Sequence, residues 1–145
     1  MKTKEEIIEL LKTDVQAFNA YRQDLFEQEI YDLDLSYVDL NHVDLSGANL
    51  SSAKLNYANL NGANLNDTDL SSANLFNANL SGSHLVNANL SRANLGDAIL
   101  CRANLWNANL SHASLWGTKL HYVNLRGADL TKVGLLRTNL DYANF

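Results

Sequence analysis

The most regular feature of the chain is a leucine at every fifth position. The series starts at Leu35 and keeps its register to Leu140, and Phe145 then takes the same position. An α-helix turns about 100° per residue, so a step of five would spread the leucines around all of its sides. A flat strand alternates its side chains, so an odd step would place successive leucines on opposite faces. We therefore predict a five-residue unit that contains its own bend and directs every leucine into one interior.

The other positions of the unit support this interpretation. With the leucine called position i, position i−2 is Ala 14 times and otherwise mostly Val, Thr or Ser, so a large and a small residue can interdigitate in a narrow core. Position i−1 carries 12 Asn and 5 Asp, which bond to nearby backbone in turns. Position i+2 holds five of the seven glycines, as a backbone site with positive φ would favour. Position i+1 accepts many residue types, which indicates exposure to solvent.

Runs such as ANLNGANL and ANLSRANLGDA resemble the A(N/D)LXX units of the pentapeptide-repeat family, and the resemblance covers about four-fifths of the chain. It implies an all-β solenoid, namely a right-handed four-sided parallel β-helix with four units per coil. Residues 31–145 would then form about six such coils. The residues Ser51, Ser71, Ser91, Ser111 and Thr131 recur in position i+1 at a spacing of four units, which fits this coil length.

Residues 1–30 precede the repeat and are predicted to form an α-helical cap. Thr3 with Glu6, and Thr13 with Gln16, fit the capping-box pattern, which indicates two short helices or one helix kinked near Thr13 and Asp14. An apolar stripe at helical spacing should cover the first coil, because an open solenoid end exposes apolar side chains and unpaired backbone. The stripe consists of Ile8, Leu11, Val15, Phe18 and Leu25.

At the other end the repeat continues to Phe145, with no capping helix after it in the sequence. Members of the family commonly dimerise through their C-terminal ends, so the resemblance implies a homodimer. A monomer in which Phe145 plugs the last coil is the alternative, and the sequence leaves both open. The candidate dimer end consists of Leu135, Leu136, Leu140, Tyr142 and Phe145.

Charge and composition exclude several functions. The net charge is −5, and residues 71–145 carry six bases against three acids, so no basic cluster points to direct nucleic-acid binding. Cys101 is the only cysteine, and the four histidines take outward positions in different columns, so we predict no disulfide, metal or cofactor. The amino-terminal segment MKTKEEIIELLKTD lacks the apolar run of a signal peptide or membrane anchor, which predicts a cytoplasmic protein without a membrane segment.

Catalysis is not expected from this sequence. A square rod of short turns offers no obvious cleft with converging polar groups. Ser111 beside His112 looks like half of a nucleophile–base pair, but adjacent surface positions supply neither an orienting third group nor an oxyanion hole. We therefore predict that the protein is not an enzyme.

Apolar side chains at outward positions are the remaining signal. Phe76, Trp116 and Leu136 share one i+1 column, and Val86 and Trp106 share the i+1 column of the opposite side. Exposed aromatic residues often mark partner-binding surfaces. We therefore predict a non-enzymatic, rigid protein–protein interaction module with an unidentified protein partner.

A second hypothesis comes from the resemblance, since some members of the family mimic DNA, bind the topoisomerase gyrase and protect it from quinolones. Such mimicry needs acidic groups ranged along the rod like phosphates. The repeat region here has nine acids and seven bases, and its second half is basic. Only one sector is suitably acidic, and it contains Asp32, Asp34, Asp39, Asp44, Asp67 and Asp69.

Overall fold

The computed structural model describes residues 1–145 and begins with two short helices. Helix α1 spans Lys4–Thr13 and helix α2 spans Val15–Glu27. The predicted box at Thr3 is confirmed, because its side chain accepts a hydrogen bond from the Glu6 N–H and the Glu6 carboxylate accepts one from the Thr3 N–H. Neither helix is long and apolar enough to cross a membrane.

The second predicted capping box is wrong. Asp14, not Thr13, is the N-cap of α2, and its carboxylate accepts a 2.9 Å hydrogen bond from the Ala17 N–H. Thr13 is the last residue of α1, and its hydroxyl donates to the Glu9 carbonyl. A carboxylate is at least as good an N-cap acceptor as a hydroxyl. The chain breaks at Asp14, so the alternative of two short helices is confirmed.

After the helices the chain forms stacked coils of four units each. Parallel pairing joins equivalent residues of successive coils, from Asp34 with Lys54 to Asn124 with Asn144. Each side of a coil contributes a single pairing residue at position i−1, so the solenoid is built from isolated parallel bridges instead of long strands. The predicted right-handed four-sided parallel β-helix is confirmed, with six levels along three of its sides.

Each corner of the coil is a tight turn. The N–H of residue i+3 donates to the leucine carbonyl, as Ala48 does to Leu45 at 3.0 Å. Position i+2 has positive φ throughout, and it does so with Tyr57 or Arg102 as well as with glycine. The predicted positive φ at this position is confirmed, and many residue types other than glycine keep it at a local cost of about 1–2 kcal/mol each.

The Asn and Asp residues at position i−1 stabilise these turns as predicted. Their side-chain oxygens accept a hydrogen bond from the N–H two positions later, for example Asn104 from Trp106 at 3.2 Å and Asp129 from Thr131 at 2.9 Å. Several also bond the same position of the next coil, and the Asn124 amide donates to the Asn104 oxygen at 2.8 Å. One short side chain therefore stabilises both the turn of its own coil and the contact with the next coil.

The interior is a column of leucine and small residues. All the position-i leucines from Leu35 to Leu125 are buried in one continuous core. The few polar side chains inside are satisfied by backbone, since the Thr68 hydroxyl donates to the Leu45 carbonyl and the Thr118 hydroxyl to the Leu95 carbonyl. Residues i and i−2 therefore face inward.

The helical cap closes the first coil in two ways. Leu11 and Phe18 of the predicted stripe are buried in the same core as the leucines. Asn19 and Arg22 of α2 bond the backbone of the first coil, where no preceding coil is present to pair with it. The Asn19 amide donates to the Gly47 carbonyl, and the buried Arg22 guanidinium donates to the carbonyls of Asn49 and Ser51.

Candidate functional site

One corner of the rod carries a row of aromatic side chains. Tyr37 and Tyr57 lie in successive coils and stack with centroids 4.9 Å apart and ring planes within 2°. Phe76 in the third coil meets Tyr57 edge to face at 6.1 Å. These arrangements are the ones that aromatic pairs favour. The sequence predicted Phe76 here but missed the two tyrosines, although their recurrence at position i+2 of successive coils was a visible signal.

The row continues to the last coil. Phe76 lies over Gly96, where an added Cβ would be 3.1 Å from the Phe76 ring, so the absence of a side chain at 96 leaves room for the ring. Trp116 follows and is 39% exposed, with the Arg137 guanidinium 5.8 Å from its ring centroid. Leu136 follows it and is 70% exposed. We call Tyr37, Tyr57, Phe76, Trp116 and Leu136 the aromatic stripe.

The predicted partner patch is divided between two corners. Trp106 and Trp116 are half a coil apart in the sequence, so they lie on opposite corners. Trp106 is 49% exposed and lies beside a shallow recess of about 370 Å³, lined also by Asn104, Asn124 and Arg126. Val86 is the partly buried residue one coil before it. This second surface is smaller than the stripe and contains a single ring.

The last coil leaves its apolar residues uncovered. Leu135 and Tyr142 are exposed, Leu140 is partly buried, and Phe145 is 66% exposed. Tyr142 stacks on Tyr122 of the preceding coil at 4.8 Å. Phe145 therefore does not act as a plug in this chain, and the end face presents a group of apolar side chains.

A third corner contains a groove that the sequence did not predict. Its volume is about 600 Å³, and it brings His42 and His121 together with Arg102, although the two histidines occupy different columns. The remaining lining residues are Asn61, Gly62, Ser81, Gly82, Cys101 and Tyr122. No group of three or more His, Cys, Asp or Glu side chains in the protein is arranged to hold a metal ion.

Six of the nine acidic side chains of the repeat lie in its first two coils. Asp34, Asp39 and Asp44 occupy the same position on three successive sides, so they ring the rod instead of following its axis. Asp34 is 3.7 Å from the Lys4 amine, and Asp32 is 2.7 Å from the Lys54 amine. Hydrogen bonds from Ser36 to Asp34 lower the pKa of that carboxyl.

The comparisons with known proteins identify the repeat. A family model described as Pentapeptide repeats matches residues 34–71, 68–107 and 108–145. A pentapeptide repeat protein from the Arabidopsis thaliana thylakoid lumen is 35% identical, with 68% of each chain covered and a TM-score of 0.66. No curated protein matches the chain.

Two further solved structures are similar over much of the chain. Rfr23, a pentapeptide repeat protein from the cyanobacterium Cyanothece 51142, is 34% identical, with 88% of this chain and 93% of that chain covered and a TM-score of 0.48. QnrB1, described as a plasmid-mediated fluoroquinolone resistance protein, is 20% identical over 79% of this chain and 71% of its own, with a TM-score of 0.43. Since the family model spans nearly the whole solenoid, this chain belongs to the pentapeptide repeat family.

Proposed function

We propose that the protein is a non-enzymatic, rigid interaction module whose aromatic stripe binds a protein partner. The observation that carries this proposal is the row of apolar side chains along one corner, from Tyr37 in the first coil to Leu136 in the last, interrupted only at Gly96. At a spacing of about 4.8 Å per coil the stripe is roughly 24 Å long. That length would suit an extended segment or a helix of a partner.

The rigidity and the composition of the aromatic stripe support binding. Tyr37, Tyr57 and Phe76 are held by contacts between their rings, so these three side chains have little entropy left to lose on association. Aromatic and arginine side chains dominate interface hot spots, and here Arg137 lies beside Trp116. The backbone beneath is hydrogen-bonded from coil to coil, so the stripe is presented on a stiff support.

The test compares the two tryptophans, because each is a control for the other. Wild type, Trp116→Ala and Trp106→Ala are immobilised, and the proteins that they retain from a lysate of the source cells are quantified by mass spectrometry. We expect a protein that wild type and Trp106→Ala retain and Trp116→Ala loses. Equal retention by all three variants, or a loss confined to Trp106→Ala, would contradict the assignment to the stripe.

We also propose that the exposed end face forms a homodimer. Leu135, Leu136, Leu140, Tyr142 and Phe145 lie together on the last coil, and pairing two such faces would remove their apolar surface from water. Light scattering coupled to size exclusion should give twice the chain mass for wild type at micromolar concentration. Leu135→Asp should give the chain mass, while Tyr37→Ser at the other end of the rod should remain dimeric. A wild-type monomer would contradict the dimer.

The alternative function, gyrase binding by DNA mimicry, lacks a supporting charge pattern. The aspartates ring the first coil and several are paired or hydrogen-bonded, whereas phosphate mimicry needs free acidic groups along the axis. A supercoiling assay with gyrase tests it, and inhibition at micromolar protein would favour the alternative over the module proposed here.

A cytoplasmic location and the absence of an enzymatic activity are parts of the same proposal. The location stays a prediction from the amino-terminal sequence, and the Arabidopsis neighbour comes from the thylakoid lumen. In the groove the Cys101 thiol donates to the Lys119 carbonyl and to neither histidine, which supports a binding role.

A further inference from the structure

The groove on the third corner is produced by two consecutive missing side chains. Position i+2 of this column reads His42, Gly62, Gly82 and Arg102 through four successive coils. His42 lies over Gly62, where an added Cβ would overlap its imidazole. An added Cβ at Gly82 would meet no atom within 4 Å, so the space above Gly82 is open and lies between His42 and Arg102.

The side chains around this opening include hydrogen-bond donors and no carboxylate. Arg102 makes no ion pair or hydrogen bond with its guanidinium, so all five of its N–H donors are available. The lining also includes His42, His121 and Tyr122, while the Cys101 thiol already donates to the Lys119 carbonyl at 3.8 Å. The one acid paired with a lining residue is Asp141, whose carboxylate lies 4.0 Å from His121 Nδ1 and outside the lining itself.

We propose that this groove binds a small molecule through an oxyanion, either a phosphate or a carboxylate. A guanidinium fork matches both groups in geometry, and charge-assisted hydrogen bonds from it are stronger than neutral ones. A groove of about 600 Å³ has the size of a small-molecule site. The chain has a net charge of −5, and the aspartates in the first half of the repeat would repel an anion there. The lining of the groove contains no acid, so an anion is not repelled by it. This site lies on a different corner from the aromatic stripe and does not depend on the proposed function.

Two substitutions test the site, and each has a matched control. Arg102→Gln removes the fork, and Arg92→Gln removes an arginine with the same exposed position and a similar φ on the opposite corner. Gly82→Asn fills the open space, and Gly47→Asn adds the same side chain at another open glycine with positive φ. Asparagine occupies this backbone position elsewhere, at Asn77 and Asn87, so both glycine variants should fold.

Binding is measured by titrating the full chain with inorganic phosphate and, separately, with citrate, using amide NMR shifts. Cys101 gives a second readout, because an anion in the groove should slow its alkylation by neutral iodoacetamide. We expect saturable shifts confined to residues around Gly82 and Arg102, and at least a tenfold weaker affinity in Arg102→Gln and Gly82→Asn. The stronger of the two probes identifies the class of oxyanion.

The controls decide between a built site and general attraction to the basic half of the chain. Arg92→Gln and Gly47→Asn should bind like wild type. Equal weakening by Arg92→Gln, shifts spread over all the basic residues, or no saturable shift with either probe would overturn the proposal.

Discussion

Leu80 is fully buried between the leucines of the coils above and below it, and the position-i leucines from Leu35 to Leu125 repeat this burial. Burying one leucine side chain contributes about 1.5–3 kcal/mol, so the regular spacing by itself supplies the main driving force for the fold. At the scale of the residue, the stability contributed by a side chain between Leu35 and Leu125 depends on its position within the five-residue unit.

Truncation of an inward residue should therefore be far more costly than truncation of an outward one. Leu80→Ala leaves a cavity in a closely packed column, and we expect a loss of about 2–5 kcal/mol in the free energy of unfolding. Ser91→Ala, at an outward position whose hydroxyl makes no hydrogen bond in the structure, should stay within about 0.5 kcal/mol. Urea unfolding measures both, and equal losses would overturn the inward and outward assignment.

A second prediction concerns the Asp44 carboxyl, whose pKa is lowered by hydrogen bonds from Ser46, with a smaller contribution from the Asn64 amide. Because the folded-state pKa lies below the unfolded value of about 3.9, the carboxylate stabilises the fold fully above that value. Its contribution is lost as the pH falls through the folded-state pKa. An NMR titration should show the low pKa of Asp44 and its rise in Ser46→Ala. A wild-type value equal to that of an ordinary aspartate would contradict this.

The inward positions of the unit could be predicted from the sequence more directly than the backbone conformation of its corners. The leucine and alanine positions follow from periodicity, because burial selects residue type strongly. The positive φ of Tyr57 and Arg102 follows only from their position in the repeat, because nothing in those side chains marks the conformation. The coil imposes it through backbone bonds such as that from the Tyr57 N–H to the Phe76 carbonyl in the next coil.

At the scale of the element, the helical cap was predicted from its apolar stripe but its polar attachment was not. Arg22 falls on the stripe between Phe18 and Leu25, where a charged residue would ordinarily interrupt it. In the structure its guanidinium is buried over the Phe26 ring at 4.5 Å and bonds two carbonyls, and burial lowers its pKa. The partners are backbone groups, which are the same in every sequence and therefore leave no signal.

Arg22 should consequently matter more than its exposed neighbour. Arg22→Met keeps much of the apolar stem but leaves the Asn49 and Ser51 carbonyls without their donor, and we expect a loss of about 1–3 kcal/mol. Gln23→Met on the same helix changes an exposed side chain that bonds only Glu27 and should be close to neutral. Thermal unfolding followed by circular dichroism compares them, and a neutral Arg22→Met would show that the apolar contacts alone hold the cap.

At the scale of the whole molecule, the rod is asymmetric in its ends and in its corners. One end is closed by α1 and α2, and the other exposes its last apolar residues. Side chains at equivalent positions of successive coils lie above one another in a column. The residue types in one column therefore determine whether that corner carries the aromatic stripe or the groove. The stripe was partly predictable, since its rings are conspicuous. The groove was not, because it is formed by what Gly62 and Gly82 lack.

The asymmetry of the ends leads to a prediction about local stability. In a stack held by neighbour contacts, a terminal coil with one open face opens more easily than a central coil. Amide hydrogen exchange should therefore be slowest around Leu80 and Leu100 and fastest in residues 128–145, where burial decreases. If the end faces pair as proposed, exchange in residues 128–145 should slow as protein concentration rises, while exchange in the central coils should not change. If exchange in residues 128–145 is equally slow at every concentration, the last coil is stable without a partner. That result would contradict the proposed dimer.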